Sequence, residues 1–248
     1  NTTASNNTAI GYNALVDQTT ASDNVAVGAY AGYNITTGDQ NVAVGKSALY
    51  TCTTADKNVA VGNDAMKDST SAYECVAVGY LAGANVTGGI KNALLGYNAG
   101  GNMTTADYCV AIGRHALVSN VDSDNNVAVG EAALENATGD GNTGLGQNAG
   151  GSITTGDTNI CIGRNVAGSS SITNGSSNIL LGCNYNPGNQ SNLLAFNNAS
   201  QVISCSAGAG SFSFSSDGRD KTDIIDLTLG LGFINKLTPR KFRWDYRD

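Results

Sequence analysis

The side chains best suited to catalysis are few in this sequence and do not cluster. The chain of 248 residues has one histidine, His115, at a variable position of a regular repeat. A serine hydrolase needs a histidine near a serine and an acid, and a glycoside hydrolase needs paired carboxylates in a cleft. Neither arrangement is evident over residues 1–216. The sequence therefore predicts that His115 lies on the surface and that this part of the chain has no catalytic centre.

Cysteine is the next candidate for chemistry, but its spacing does not favour a site. The six cysteines are Cys52, Cys75, Cys109, Cys161, Cys183 and Cys205. A zinc site requires clustered Cys and His ligands, so we expect neither a metal nor another cofactor. Cys75 and Cys109 stand where other repeats have Asn, and Cys161 stands where others have Ala. These positions favour small buried side chains over a disulfide framework.

Asp, Thr and Tyr recur with the repeat and allow three binding interpretations. One Asp per repeat, at Asp39, Asp56, Asp107, Asp140 and Asp157, could form a calcium ladder. The Gly-Gly-x-Gly-x-Asp pattern of such ladders is missing, so turn capping is the preferred interpretation. Thr pairs such as Thr36-Thr37 resemble ice-binding solenoids, but adjacent residues of an extended segment point to opposite faces. Tyr12, Tyr80 and Tyr97 follow repeat glycines and could stack on a glycan or pack on one another.

A 17-residue repeat must position all of these side chains. Asn-Val-Ala-Val-Gly occurs at 24–28, 41–45, 58–62 and 126–130, and close variants end at seven further glycines. The difference in number between successive repeat glycines is 17 seven times, and then 16, 17 and 19. Eleven copies in such a constant register indicate a solenoid. The residues chosen to define the register are Asn24, Gly28, Asn41, Gly45, Asn58, Gly62, Asn126 and Gly130.

Each repeat predicts short strands closed by turns. Val25 and Val27 share one strand face, while Asn24, Ala26 and Gly28 share the other. Thr-Thr-Gly-Asp segments supply turn residues, and a repeat of this length leaves room for two short strands and two turns. Stacking at about 4.8 Å converts each position into a column, with Val inside and Asn amides bonded to their copies. Eleven such coils predict a stiff rod roughly 50 Å long.

A second face of small residues predicts contact between chains. Alanines stand three residues after the repeat glycine at Ala14, Ala31, Ala48, Ala65, Ala82, Ala99, Ala116 and Ala133. A solenoid needs one apolar interior, so a second regular face indicates packing against copies of the chain around a symmetry axis, and we expect three. The expected fold class is all-β, a parallel β-solenoid or β-roll of about eleven 17-residue coils forming a homotrimeric fibre shaft.

Charge and hydropathy exclude two classes of partner. The net charge is −7, and positions 217–248 hold seven of the 13 Lys and Arg but six of the 20 acids. Residues 1–216 are therefore acidic and repel phosphate backbones, which argues against a nucleic-acid partner. The apolar runs are far shorter than the ~20 residues needed to cross a bilayer, so we expect no membrane insertion.

Residues 1–186 resemble two families of trimeric surface proteins. The Asn-Val-Ala-Val-Gly-x-x-Ala segment is similar to a repeat in the heads of trimeric autotransporter adhesins, and residues 7–15 resemble repeats of bacteriophage tail-fibre proteins. The resemblance implies a homotrimeric fibre of the virion tail, outside the cell, that attaches to a host through a glycan or protein receptor. Other virion tail proteins are then further partners. A bacterial surface adhesin head is the alternative.

The C-terminal part has a different composition. Phe is absent before Phe196, and Trp244 is the only tryptophan. Apolar residues recur at a spacing of three to four before Pro239, which predicts a short helix with an apolar face within a C-terminal segment. These residues are Ile224, Leu227, Leu231 and Ile234.

The segment that begins at Ser216 resembles the start of the self-releasing intramolecular chaperone domains of phage tail fibres and tailspikes. This resemblance implies that Ser216 is a nucleophile and Lys221 its base, and that the Ser216–Asp217 bond is cut in a single turnover. Asp220 replaces an apolar residue that is usual in this family. We expect three segments: a solenoid shaft at 1–186, a transition or tip segment at 187–216 and the start of the chaperone at 217–248.

Overall fold

The protein is a stack of coils that each contribute one short strand to a single sheet. The computed structural model describes residues 3–168, 173–185 and 187–197, and the backbone of 202–206 and 213–214. All of these belong to the first of two units of the chain, Asn1–Ser215. The strands are β1 (Thr8–Ile10), β2 (Val25–Val27), β3 (Val42–Val44), β4 (Val59–Val61), β5 (Val76–Val78), β6 (Ala93–Leu95), β7 (Val110–Ile112), β8 (Val127–Val129), β9 (Thr143–Leu145), β10 (Ile160–Ile162), β11 (Ile179–Gly182), β12 (Leu193–Asn197), β13 (Val202–Ser206) and β14 (Ser213–Phe214).

Strands that follow one another in the chain are neighbours in the sheet. The order runs from β1 to β14, and every pairing from β1 to β12 is parallel. Equivalent residues are in register, so Ala26 pairs with Ala43 and Ala43 pairs with Ala60. Strands β13 and β14 pair antiparallel, which means that the chain direction reverses after β12. The predicted parallel β-solenoid, with about eleven coils in 17-residue register, is confirmed.

Within the described residues, each coil contains one strand, although the length of the repeat leaves room for two. The rest of a coil consists of turns and bends, with isolated bridges only from Asp56 to Tyr73 and from Tyr73 to Ile90 in the part that the structure describes. A second strand is prevented by the backbone two and four residues after the repeat glycine, which is left-handed, as at Ser47 (φ 54°) and Leu49 (φ 50°). An extended strand cannot pass through such residues, so the chain turns instead.

The spacing between coils requires the repeat glycine. Gly28 has a φ of 139°, and a Cβ added there would lie 2.5 Å from the carbonyl oxygen of Gly45 in the next coil. Gly45, Gly62 and Gly130 have φ values of 132°, 141° and 135°. A side chain at these positions would strain its own backbone and push the next coil away. The predicted register glycines therefore have a structural role.

The faces of the strand are the reverse of the prediction. Ala26 is fully buried, whereas Val25 and Val27 remain partly exposed, and this pattern recurs in the following strands. The alanines expected on an outer face, from Ala31 to Ala133, are also buried inside the stack. The interior of so short a coil must hold an Asn amide beside the strand, so it favours Ala over Val. The small-residue face cannot be the contact between chains.

Larger side chains fill the remaining interior by alternating between two positions. The fourth residue after the repeat glycine is Leu49 in one coil, and the residue three positions later is then the small Cys52. In the preceding coil the same positions hold Gly32 and Ile35. A Cβ on Gly32 would lie 2.9 Å from Cδ1 of Ile35, so one large side chain fits but not two. This exchange keeps the packed volume of successive coils similar.

Candidate functional site

The outward face of the sheet is apolar along the stack. The first and third residues of each strand point outward, and those of β2 to β11 include no charged residue. We call them the apolar strip, which comprises Val25, Val27, Val42, Val44, Val59, Val61, Val76, Val78, Ala93, Leu95, Val110, Ile112, Val127, Val129, Thr143, Leu145, Ile160, Ile162, Ile179 and Leu181. Val76 is 38% exposed, Ile112 39% and Leu145 46%. At about 4.8 Å per coil, the strip extends for roughly 50 Å.

The inward Asn residues close each coil and join it to the next. Nδ2 of Asn24 donates to the carbonyl oxygen of Gly38, later in the same coil, at 2.9 Å. Oδ1 of Asn24 accepts the backbone N–H of Asn41 at 2.8 Å. Asn58 and Asn126 make the same two kinds of bond. Because these buried amides are satisfied, the predicted amide ladder is confirmed as a structural feature.

Cys75 and Cys109 stand in this ladder, as their repeat position predicted. Sγ of Cys75 donates to the carbonyl oxygen of Gly89 at 3.2 Å and accepts the backbone N–H of Asn92 at 3.5 Å. Both thiols are fully buried. A thiol makes the same donor and acceptor contacts as the Asn amide, but both are weaker. The coils that contain Cys75 and Cys109 are therefore joined less strongly to their neighbours.

The buried thiols are poorly suited to nucleophilic chemistry. Burial raises the pKa of Cys52 and of Cys161 to about 12, and that of Cys109 to about 11. The thiolate is the reactive form, so these groups are almost entirely unreactive at neutral pH. Cys161 is buried, as its repeat position predicted, and it lies in the inward column of the strands. The five cysteines in the described part of the chain are free.

Asp and Thr side chains form a polar edge along the turns. Oδ1 of Asp56 accepts the backbone N–H of Asp39 at 2.8 Å, and Oγ1 of Thr36 donates to the carbonyl oxygen of Thr53 at 2.9 Å. The turn-capping interpretation of the Asp residues is confirmed, and the capped N–H belongs to the preceding coil. Within the described ranges, no group of three or more His, Cys, Asp or Glu side chains is placed to hold a metal ion.

A cluster of tyrosines lies just beyond the ends of the first strands. The rings of Tyr33 and Tyr50 stack with centroids 5.2 Å apart, and Tyr30 lies 6.2 Å from Tyr50. Tyr30 and Tyr50 contribute to an open groove of about 400 Å³. We call it the tyrosine–lysine groove, and its lining residues are Tyr30, Lys46, Ser47, Tyr50 and Lys67.

Sequence reasoning missed most of this groove. Its residues come from three coils and stand one, two and five positions after the repeat glycine. A small residue, Ser47, follows Tyr30 in one of these columns and leaves space beside the rings. Aligning the coils by register and comparing the variable columns would have brought Lys46, Tyr50 and Lys67 together.

A second aromatic cluster lies further along the stack. The rings of Tyr80 and Tyr97 stack at 5.4 Å, and the imidazole of His115 lies 5.4 Å from Tyr97. Nδ1 of His115 is 3.8 Å from Oε1 of Glu135, and the His115 side chain is 29% exposed. The predicted surface position of His115 is therefore confirmed. These tyrosines pack on aromatic neighbours, but Tyr80 and Tyr97 keep nearly half of their surface exposed.

The C-terminal predictions fall on residues outside the described ranges. Ser216, Asp217 and Lys221 lie there, as does the helix predicted from residue 224 onward. Self-cleavage at the Ser216–Asp217 bond remains a prediction. The same holds for the domain boundaries at 186 and 216.

Comparisons with known proteins give no match, whether to a protein-family model, a curated protein or a solved structure. In the described part of the chain, no helix is long and apolar enough to cross a bilayer. The apolar strip and the tyrosine–lysine groove are thus the two surfaces from which a function can be inferred.

Proposed function

We propose that this chain is the shaft of a homotrimeric extracellular fibre that attaches to a host cell, of the kind found in phage tails. The supporting observation is the apolar strip, which is uncharged and open to solvent along the whole stack of a single chain. Monomeric proteins rarely expose contiguous apolar surface of this extent. Three copies placed with their strips around a common axis would bury this surface. The number three is an expectation from the sequence, and the resemblance to tail fibres and adhesin heads supports it.

A second copy of the chain fits the strip better than an unrelated partner does. Each coil presents two side chains at the same two positions, and all of them except Thr143 are apolar, so an identical rod matches coil by coil over the whole length. Closed rotational symmetry then leaves no strip uncovered. A partner of different period would match only a few coils.

The same regularity creates a problem of register. If one rod slides by a single coil, about 4.8 Å, most apolar contacts are replaced by equivalent ones. The strip alone specifies alignment weakly, as it does for strands of uniform composition. A separate segment that aligns three chains is therefore useful to such a fibre. This supports an assembly role for residues 217–248.

The mass in solution tests this proposal. Light scattering or native mass spectrometry is expected to show a species of about three times the chain mass of 25.2 kDa. The double variant Val61→Lys/Val78→Lys places two charges on the strip and is expected to be monomeric, because buried unpaired ammonium groups are costly. The control Thr37→Lys/Thr105→Lys adds the same charge at exposed turn positions and should stay trimeric. A stable monomer for the unmodified chain at micromolar concentration would overturn the proposal.

Self-cleavage is a second candidate function, and the adhesin head is an alternative identity for the fibre. The Ser-Asp-Gly-Arg-Asp-Lys segment at 216–221 supports cleavage through its resemblance to phage chaperone domains. Mass analysis of the recombinant chain separates these possibilities. A cut after Ser216 that is abolished by Ser216→Ala supports the phage fibre and the Ser216/Lys221 assignment. A chain that stays intact removes the protease.

A further inference from the structure

The tyrosine–lysine groove holds two of the six Lys and Arg residues found in residues 1–216. Three of the other four have partners within the described structure. Nζ of Lys57 donates to the hydroxyl of Tyr73 at 2.8 Å, and Nζ of Lys91 lies 4.0 Å from Glu74. These three, with their partners, are Lys57 with Tyr73, Lys91 with Glu74 and Arg114 with Glu131.

Lys46 and Lys67 differ from these cations. Among the described residues, neither makes an ion pair or a side-chain hydrogen bond, and both line the same open groove. Elsewhere the rod carries an excess of acidic residues. The lining of the groove thus holds two cations and no acid on an otherwise acidic surface, and it favours a ligand with a single negative charge over a polyanion, which the rest of the rod repels.

The tyrosines define the rest of the ligand. Tyr30 and Tyr50 are half-buried at the groove and are held by contacts with other rings, including the stack of Tyr33 on Tyr50 at 5.2 Å. Rings that are fixed in this way offer a preformed apolar surface with a polar hydroxyl at its edge. Ser47 adds another hydroxyl to the lining. This combination suits a ligand with an apolar C–H face and several hydroxyl groups.

We infer that the tyrosine–lysine groove binds a carboxylated sugar, with Lys46 and Lys67 pairing with the carboxylate and Tyr30 and Tyr50 contacting the sugar ring. The groove volume of about 400 Å³ lies within the range of small-ligand sites and suits one or two sugar rings. This inference gives a chemical class to the receptor of the proposed function, and to that extent it rests on it.

Binding by three acidic sugars and their neutral counterparts tests the inference. The probes are galacturonate, sialyllactose and cellobiouronic acid, which each carry one carboxylate, and the counterparts are galacturonate methyl ester, lactose and cellobiose. Titration by NMR or calorimetry is expected to show a Kd on the order of 1 mM for at least one acid, with roughly tenfold weaker binding of its neutral counterpart. Absence of binding by all three acids, or equal binding of the neutral forms, would overturn the inference.

Charge-matched variants locate the site. Lys46→Gln/Lys67→Gln is expected to weaken binding of the acid about tenfold or more, while Lys57→Gln/Lys91→Gln leaves it unchanged. Equal loss in both variants would show a general effect of charge and would contradict the assignment. Inorganic phosphate that binds as well as the sugars would show a simple anion site and would also contradict it. Sugar binding is also measured for the Val61→Lys/Val78→Lys variant, which is expected to be monomeric. Binding that persists in this variant shows that the groove acts without assembly, so a failure of the trimer proposal can be told apart from a failure of this inference.

Discussion

Inside the stack, Ala26 is fully buried beside Asn24, whose amide is hydrogen bonded in its own coil and to the next. Outside, on the same strand, Val25 and Val27 are left partly exposed in a single chain. The more hydrophobic side chains are thus the more exposed ones. The comparison teaches that in so narrow a coil, side-chain volume and hydrogen bonding decide which face is inside. In the proposed trimer, the hydrophobic outer face would then be buried by contact between chains.

Among substitutions inside the stack, replacing a repeat glycine is expected to cause the largest loss of stability. Gly62→Ala places a Cβ against the backbone of Gly79 at a φ of 141°, and we expect a loss of about 3 kcal/mol or more in the free energy of unfolding. Urea unfolding of the chain kept monomeric by Val61→Lys/Val78→Lys is the measurement. The control is Gly188→Ala, at a φ of 78° with no atom within 4 Å of the added Cβ. Equal losses would mean that strain, not contact between coils, is responsible.

The buried amide ladder comes next. Asn58→Ala removes the acceptor of the Cys75 N–H at 2.9 Å and the donor to the carbonyl oxygen of Ala72 at 2.8 Å. Leaving these buried groups unpaired is expected to cost about 2–3 kcal/mol in the same urea experiment. Asn102→Ala, at an exposed turn, should change stability by less than about 0.5 kcal/mol. A loss at Asn58 no greater than at Asn102 would contradict a stabilising ladder.

A pair of adjacent residues tests the two faces directly. Ala128 is fully buried and Val127 points outward in the same strand. In the monomeric background, Ala128→Val is expected to cost about 1–3 kcal/mol through overpacking. Val127→Thr should cost less than about 0.5 kcal/mol, because its surface is already partly hydrated. The reverse order of these losses in urea unfolding would restore the original prediction that Val lies inside.

Alkaline pH should weaken the interior through its thiols. Burial raises the pKa of Cys161 from 9.0 to about 12, so the folded chain keeps a proton that the unfolded chain releases above pH 9. The contribution of this thiol is therefore complete below pH 9 and is lost as the pH rises from 9 to 12, by about 1.4 kcal/mol per unit. Between pH 8 and pH 10 the Cys161→Ala variant should lose about 1.4 kcal/mol less than the parent chain. Identical losses would show that the thiol is ionised in the folded state.

Completing the ladder is expected to have the smallest effect. Cys75→Asn replaces a thiol by the amide present in most other coils and should raise the free energy of unfolding by up to about 1 kcal/mol. Thermal or urea unfolding would detect the change. A loss of stability would indicate that the coil has adapted its backbone to sulfur.

The sequence predicted the register of the stack because equivalent residues recur once per coil. The Asn ladder, the turn position of Asp39 and the packing of Cys75 all follow from that register. Which face is inside was predicted wrongly, because alternation shows only that Val25 and Val27 share a face. The useful signal was present in the Asn column itself. Cys, a residue type that is usually buried, replaces Asn at Cys75 and Cys109, so that column belongs inside.

Other features depend on details that a repeat pattern does not contain. In the coils that the structure describes, the absence of a second strand follows from left-handed residues such as Ser47 and Leu49, whose φ values are not evident from side-chain type. The tyrosine–lysine groove depends on residues at variable positions of three coils. The separation of Lys46 and Lys67 in the chain is not a multiple of the repeat, so a search for periodic residues does not pair them.

The hydrogen bonds between coils also have a direction along the chain. Oδ1 of Asn24 accepts from the coil that follows it, whereas Oδ1 of Asp56 accepts from the coil that precedes it. A folded coil therefore offers its Asn oxygen as an acceptor to a backbone N–H of the next coil. The next coil in turn offers its Asp oxygen to a backbone N–H of the folded coil. The rod can grow from its N-terminal end by the same reciprocal step each time. Because the ribosome synthesises the chain from its N-terminus, each new coil can pair with the preceding coil as soon as it emerges.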